Sequence, residues 1–316
     1  MRVEVIFHVG LHKTGTTSFQ AALTKAGDTL ISGGILYPAP PSGGVFTAQH
    51  ADIPLMLIQG RLNEVRAYFD GVLEQARTLS NPKIETILFS SEDFSSLYFD
   101  KPAFSALADI ANEKFQLFNA LLVLRNIVDL TASELRQQID GGRLSPRQAM
   151  AQDEVLRAFL RTIRKVKFLT THFHAVKVLD YEDARASGHL NNYFAKALFG
   201  SQGPNLENLR LNVGQERDEQ IVGLLSAQLR GLVSMVRNSH TYSRTVRNEL
   251  ERIIDFDRIK TSVRREHAKE FAISYDAYVR KVVSEVFVRQ KPKIDGEMTS
   301  LAPLHRDMLV RGLPAP

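Results

Sequence analysis

The chain has 316 residues, 44% hydrophobic and 24% charged, an ordinary globular composition with enough length to bury a sizeable core. Its net charge of +5 suits an anionic ligand but is too mild and dispersed to demand nucleic acid, so no nucleic-acid partner is expected. Without cysteine, neither a disulfide framework nor a thiolate metal site can form. The N-terminus runs from an apolar segment straight into a glycine motif, which leaves no room for a signal peptide. No apolar run approaches the ~18 residues that a membrane span needs. The expectation is a soluble, cytoplasmic protein with no membrane span.

Residues 3–7 form a short apolar run closed by a glycine turn, the pattern of a buried parallel strand. Phe19, Ala22, Leu23 and Ala26 then recur at helical spacing, with Gly27 as the C-terminal stop. Glycine and proline pairs punctuate residues 33–56, which reads as a loop. A helix is predicted over 61–79, its apolar face carrying Leu62, Val65, Phe69, Val72, Leu73 and Ala76. Strand-like runs follow at 86–89, 120–124 and 176–179, separated by helical patterns over 102–113 and 127–168. Alternating strands and helices predict an α/β fold, a P-loop-type mainly parallel sheet flanked by helices, with a helical C-terminal portion. The expected organisation is an α/β core over 1–214, a helical extension packed on it over 215–290, and an irregular, proline-bearing tail over 291–316.

Between the first strand and the first helix lies Gly10-Leu11-His12-Lys13-Thr14-Gly15-Thr16-Thr17-Ser18. Backbone N–H groups and the helix dipole favour a phosphate at such a junction; glycines admit it closely, lysine adds charge and hydroxyls add donors. The two glycines have Walker A spacing, but Gly15 is followed by Thr16-Thr17 and the lysine stands inside the loop at position 13. This segment closely resembles the 5′-phosphosulfate loop of the sulfotransferase family that uses 3′-phosphoadenosine 5′-phosphosulfate (PAPS). The likeness is to its bacterial branch, with a His-Lys-Thr-Gly-Thr-Thr core. The resemblance implies that Lys13, Thr14, Gly15, Thr16, Thr17 and Ser18 hold the 5′-phosphate, with Lys13 neutralising charge on the bridging oxygen during transfer.

A second segment is similar to the same family. The run 120–124 ends in Arg125-Asn126, with Asp129 following and Ser133 eight residues after the arginine. In the family, an arginine at a strand end and a serine in the next helix bind the 3′-phosphate that distinguishes PAPS from ATP, which implies that role for Arg125 and Ser133. The alternative is that Arg125 pairs with Asp129. Ile127 stands where the family often has proline.

Ser90-Ser91-Glu92-Asp93 closes the run 86–89, and ligands of open parallel sheets bind beyond the carboxyl ends of strands. An acid there faces the site, and since several sulfotransferases use a glutamate as base, the resemblance implies that Glu92 takes the acceptor proton, with His12 as its rival and Asp93 as a structural group; the alternative is a helix cap or a partner of a nearby arginine. Val178-Leu179-Asp180-Tyr181-Glu182 resembles a Tyr-Glu pair of this branch. It also imitates a Walker B run, against which Lys177 and the absent Walker lysine argue.

His172-Phe173-His174, placed on a strand or its edge, finds no third ligand, so no metal is expected. The arginine-rich stretch from Arg230 to Arg265 reads as a solvated face or as a basic rim. The function expected is sulfuryl transfer from PAPS to a hydroxyl or amine acceptor, a small molecule or glycan, with a saccharide or glycolipid first and the 215–290 helices on the acceptor side. The alternatives are an ATP-dependent P-loop phosphotransferase and a non-catalytic nucleotide-binding or scaffold protein.

Overall fold

The computed structural model describes residues 3–11, 14–41, 49–79, 83–115, 117–140, 144, 146–200, 204–206 and 268–311. The chain divides into two compact units. The first comprises Met1–Asn126, Ile163–Asn212 and Ser300–Arg311; the second comprises Ile127–Thr162, Val213–Thr299 and Gly312–Pro316.

The first unit is built on a five-stranded, all-parallel sheet of order β2-β3-β1-β4-β5. The strands are β1 (Glu4–Gly10), β2 (Ile35–Leu36), β3 (Thr86–Ser91), β4 (Leu117–Leu124) and β5 (Ala175–Asp180). Central β1 pairs with β3 from Glu4↔Thr86 to Val9↔Ser91 and with β4 from Glu4↔Leu117 to Gly10↔Val123. Its neighbours are buried on both sides, which is why 3–7 reads as a continuous apolar run. Because the chain leaves β1 toward β3 on one side and continues to β4 and β5 on the other, the carboxyl ends of β1 and β4 form the topological switch point at which open parallel sheets bind ligands.

Side chains alternate between two apolar layers. On one face Phe7 meets Phe69, Phe89, Phe94, Phe118 and Phe173 with ring centroids 5.1–6.4 Å apart. This layer is roofed by α4 (Leu62–Thr78) and α5 (Lys101–Lys114), whose buried faces carry Phe69 and Phe104. On the other face Ile6, Leu88, Leu121 and Leu179 pack with Phe19 and Leu23 of α1 (Thr16–Lys25) and with Phe194 of α10 (Leu190–Phe199). The other helices described in this unit are α2 (Gly27–Ser32), α3 (Asp52–Ile58), the second half of α8 (Gln152–His172), α9 (Tyr181–Ala186) and α12 (Pro303–Val310), and a 3₁₀ segment spans Glu92–Phe99.

The described residues of the second unit are mostly helical. They form α6 (Ile127–Asp140), α7 (Pro146–Ala149), the first half of α8 (Gln152–His172) and α11 (Ala268–Met298). Arg280 of α11 pairs with Asp129 of α6 at 2.8 Å, Phe287 meets Phe159 at 5.6 Å, and Arg161 of α8 bonds Glu134 of α6 at 3.3 Å.

The α/β architecture and helical C-terminal part are those the alternating pattern predicts, with several local corrections. Gly27 does not stop α1 but opens α2, because Ala26 alone makes the turn between them. The segment 33–56 is not all loop. Ile35 and Leu36 pair with Thr86 and Ile87 as an edge strand, too short to show periodicity, and α3 buries Ile53, Met56 and Leu57. The pattern over 127–168 is three helices, the interruption falling where Gly141-Gly142 and Pro146 stand.

His172 ends a helix instead of sharing a strand face with His174, since Phe173 between them is drawn into the phenylalanine layer. The segment 291–316 is not an irregular tail throughout. Pro292 is accommodated inside α11, and Pro303 starts α12 at a position where its missing N–H has no cost. The helical patterns at 215–236 and 243–256, and the arginines from 230 to 265, lie outside the described residues.

Candidate anion-binding site

Four strands deliver their carboxyl ends to one edge, and each is followed by a residue singled out from the sequence or beside one. β1 runs into the glycine loop, β3 into Glu92, β4 into Arg125 and β5 into Tyr181.

The loop is folded by backbone demands that only glycine meets. Gly15 takes φ 80°, the left-handed region, and a Cβ there would strike Leu190 of α10. A Cβ on Gly10 would strike the Thr16 methyl and lie 3.3 Å from Glu92 Cγ. Thr14, fully buried, donates its hydroxyl to the Leu11 carbonyl at 2.7 Å, and so closes the loop on itself. Helix α1 begins at Thr16, the Phe19 N–H reaching back to the Gly15 carbonyl at 3.2 Å. Neighbouring N–H groups in the first turn have no intrahelical acceptor.

The hydroxyls of that turn point three ways. Thr16 is buried and donates to Glu92 Oε1. Thr17 is exposed and reaches solvent at the helix start. Ser18 is buried and donates to Asn191 Oδ1 of α10 at 3.4 Å. The family resemblance implies a phosphate role for all three; Thr17 is exposed at the helix start, and Thr16 and Ser18 are buried. Lys13 and His12 lie outside the described residues.

Glu92 opens the 3₁₀ segment after β3 and is brought against the loop by the pairing of β3 with β1. Asp93 is held by its backbone, its N–H donating to the Ser91 side chain at 3.1 Å. Below the pair, Ser90 is the centre of a buried polar network. Its hydroxyl meets His8 Nδ1 at 2.7 Å and accepts from Gln20 Nε2 at 3.1 Å, while its N–H donates to His50 Nδ1 at 3.1 Å. His50 Nε2 faces the Pro38 carbonyl at 3.0 Å. Burial lowers the pKa of His8 to about 3 and that of His50 to about 4, so both are neutral at physiological pH. Sequence reasoning missed this network, although polar residues at apolar positions of β1 and α1 were its signal.

The Arg125 guanidinium stands 5.1 Å over the Tyr181 ring, and its Nε lies 3.8 Å from Glu182 Oε1. The same tyrosine borders the loop, since a Cβ on Gly15 would come within 3.6 Å of Tyr181 Cε2. Tyr181 thus bridges the glycine loop and Arg125. Asp180, the aspartate of the Walker B-like run, is buried with both oxygens engaged. Oδ1 accepts the Glu182 N–H at 2.7 Å as an N-cap, and Oδ2 accepts from Arg311 at 2.7 Å. Ser133 belongs to α6 in the second unit and is partly buried there.

The chain matches no family model, no curated protein and no solved structure. Among the described residues no group of three or more histidines, aspartates and glutamates is arranged to hold a metal ion, and no helix is long and apolar enough to cross a membrane.

Proposed function

We propose that this protein transfers a sulfuryl group from PAPS to a hydroxyl or amine acceptor, a saccharide or glycolipid in the first instance. The observation that carries the proposal is the alignment along one sheet edge of the left-handed Gly15, Tyr181 and Arg125, with Glu92 against the same loop. A nucleotide with phosphates at both ends needs two separated anion sites of this kind. The loop offers backbone N–H groups and the exposed Thr17 hydroxyl; Arg125 offers a rigid fork, stacked and oriented from behind. Gly10 and Gly15 let the loop pack closely against Thr16 and Leu190, where a side chain would clash.

PAPS supplies the activated sulfuryl group and its own leaving phosphate. The chain's part is to bind both phosphates, align the acceptor and take its proton, which we assign to Glu92. Lys13 would add positive charge where the leaving oxygen develops its own.

The phosphotransferase alternative requires an aspartate available to magnesium after β5. Asp180 is instead committed to the α9 N-cap and to Arg311, which weighs against that chemistry.

Thermal shift tests the proposal. 3′,5′-Bisphosphoadenosine should stabilise the protein at concentrations where ADP does little, without help from magnesium. Ligand at about 100 times its dissociation constant adds roughly 2.7 kcal/mol, enough to resolve the two nucleotides. Preference for ATP with magnesium would establish the phosphotransferase, and indifference to every nucleotide would leave a scaffold.

A further inference from the structure

Arg311, the residue that follows α12, touches both strand-end turns that build the Arg125 side of the edge. Its guanidinium donates to Asp180 Oδ2 at 2.7 Å and to Asp183 Oδ1 at 2.6 Å, and its carbonyl accepts from Asn126 Nδ2 at 2.5 Å. Asn126 directly follows Arg125, and Asp180 directly precedes Tyr181. The ladder between β4 and β5 ends at Leu124↔Asp180, so strand pairing no longer fixes the distance between Arg125 and Tyr181 beyond that point. Arg311 does so from outside the sheet.

It also settles a charge conflict. Asp180, Glu182 and Asp183 crowd three carboxylates around the turn carrying Tyr181, beside a site proposed for a dianion. Left uncompensated, they would repel the phosphate and draw Arg125 toward themselves. Arg311 engages Asp180 and Asp183, while Glu182 lies 3.8 Å both from Arg185 Nη1 and from Arg125 Nε.

We infer that Arg311 is a positioning residue for nucleotide discrimination, holding the Asn126 and Asp180 turns so that Arg125, stacked on Tyr181, is presented to the 3′-phosphate. This rests on the PAPS proposal above. It makes selectivity at the sheet edge depend on a side chain some 185 positions from Arg125, as the Asn126 contact records.

The test is the ratio of dissociation constants for ADP and 3′,5′-bisphosphoadenosine, measured by calorimetry on the full chain, alongside the melting temperature without ligand. Arg125→Met should abolish the wild-type preference. Arg311→Met should reduce it by about tenfold, the effect of losing a supporting contact behind a charged group. Arg311→Lys, which keeps the charge but loses the fork, should reduce it by about threefold and serves if the methionine variant does not fold. Because Arg311 acts through Arg125, the double Met variant should match Arg125→Met alone. Arg311 variants with a lowered melting temperature and an unchanged ratio would make the residue a fold clamp only and overturn the inference. A wild type that does not prefer the bisphosphate overturns the PAPS proposal in its own arm, before any variant is compared, and the inference falls with it.

Discussion

Glu92, the acid at the end of β3, accepts the Thr16 hydroxyl, which holds it against the loop, and is the residue to which we assign the acceptor proton. Glu92→Gln keeps size and most hydrogen bonding while removing the basic oxygen. We expect it to retain bisphosphate binding and to lose about 10²–10⁴ in single-turnover rate, the usual contribution of a positioned general base. A near-normal rate beside an inactive His12→Asn that still binds nucleotide would transfer the role to His12. Gly15 poses a purely structural demand. Gly15→Ala puts a Cβ on a left-handed residue, at roughly 1–2 kcal/mol, and drives it into Leu190 as well. Denaturant titration should show the double variant Gly15→Ala/Leu190→Ala recovering the steric part but not the backbone part. Full recovery would mean that the left-handed conformation carries no cost here.

The elements explain why the site sits where it does. Parallel pairing of β1 with both β3 and β4 places Gly10, Ser91 and Leu124 at one edge, and the residues after them inherit that position. The pairing is locked from one side by Phe7, which touches five other phenylalanines from β3, β4, α4, the 3₁₀ segment and the turn before β5. Phe7→Ala should cost about 3–5 kcal/mol, the range for emptying a large buried ring site, and lower the denaturation midpoint at unchanged slope. A loss below 1 kcal/mol would show that the layer collapses around the gap. The apolar runs at 3–7, 86–89 and 120–124 that mark these strands were legible in the sequence. The pairing of Ile35-Leu36 was not, because two residues carry no period and their partner lies some fifty positions away.

For the molecule as a whole, the buried histidines set a pH dependence. His8 and His50 have folded pKa values of about 3 and about 4, while an unfolded chain titrates its histidines near 6.5. Between these values the unfolded state binds more protons, so stability rises with pH. The contribution is complete above pH ~6.5 and is lost progressively as pH falls toward the folded values. Melting temperature should therefore drop from about pH 6.5 to about pH 4. His8→Asn, which keeps an acceptor toward Ser90 but cannot titrate, should flatten that slope. An unchanged slope in His8→Asn would mean that carboxylates alone drive the acid transition.

Strand and helix alternation, the glycine loop and the strand-end positions of Glu92, Arg125 and Tyr181 were determined by the sequence alone, because each depends on local period, local turn chemistry or the rule that parallel sheets bind ligands at one edge. The tertiary structure decided what those residues touch. Only packing could show that Thr16 meets Glu92, that Tyr181 borders both Gly15 and Arg125, and that Asp129 meets Arg280. It also made helices of residues 291–298 and 303–310, and it carried Arg311 back to Asp180. Such contacts join residues tens to hundreds of positions apart, and a local pattern holds no record of which distant surface will bury it.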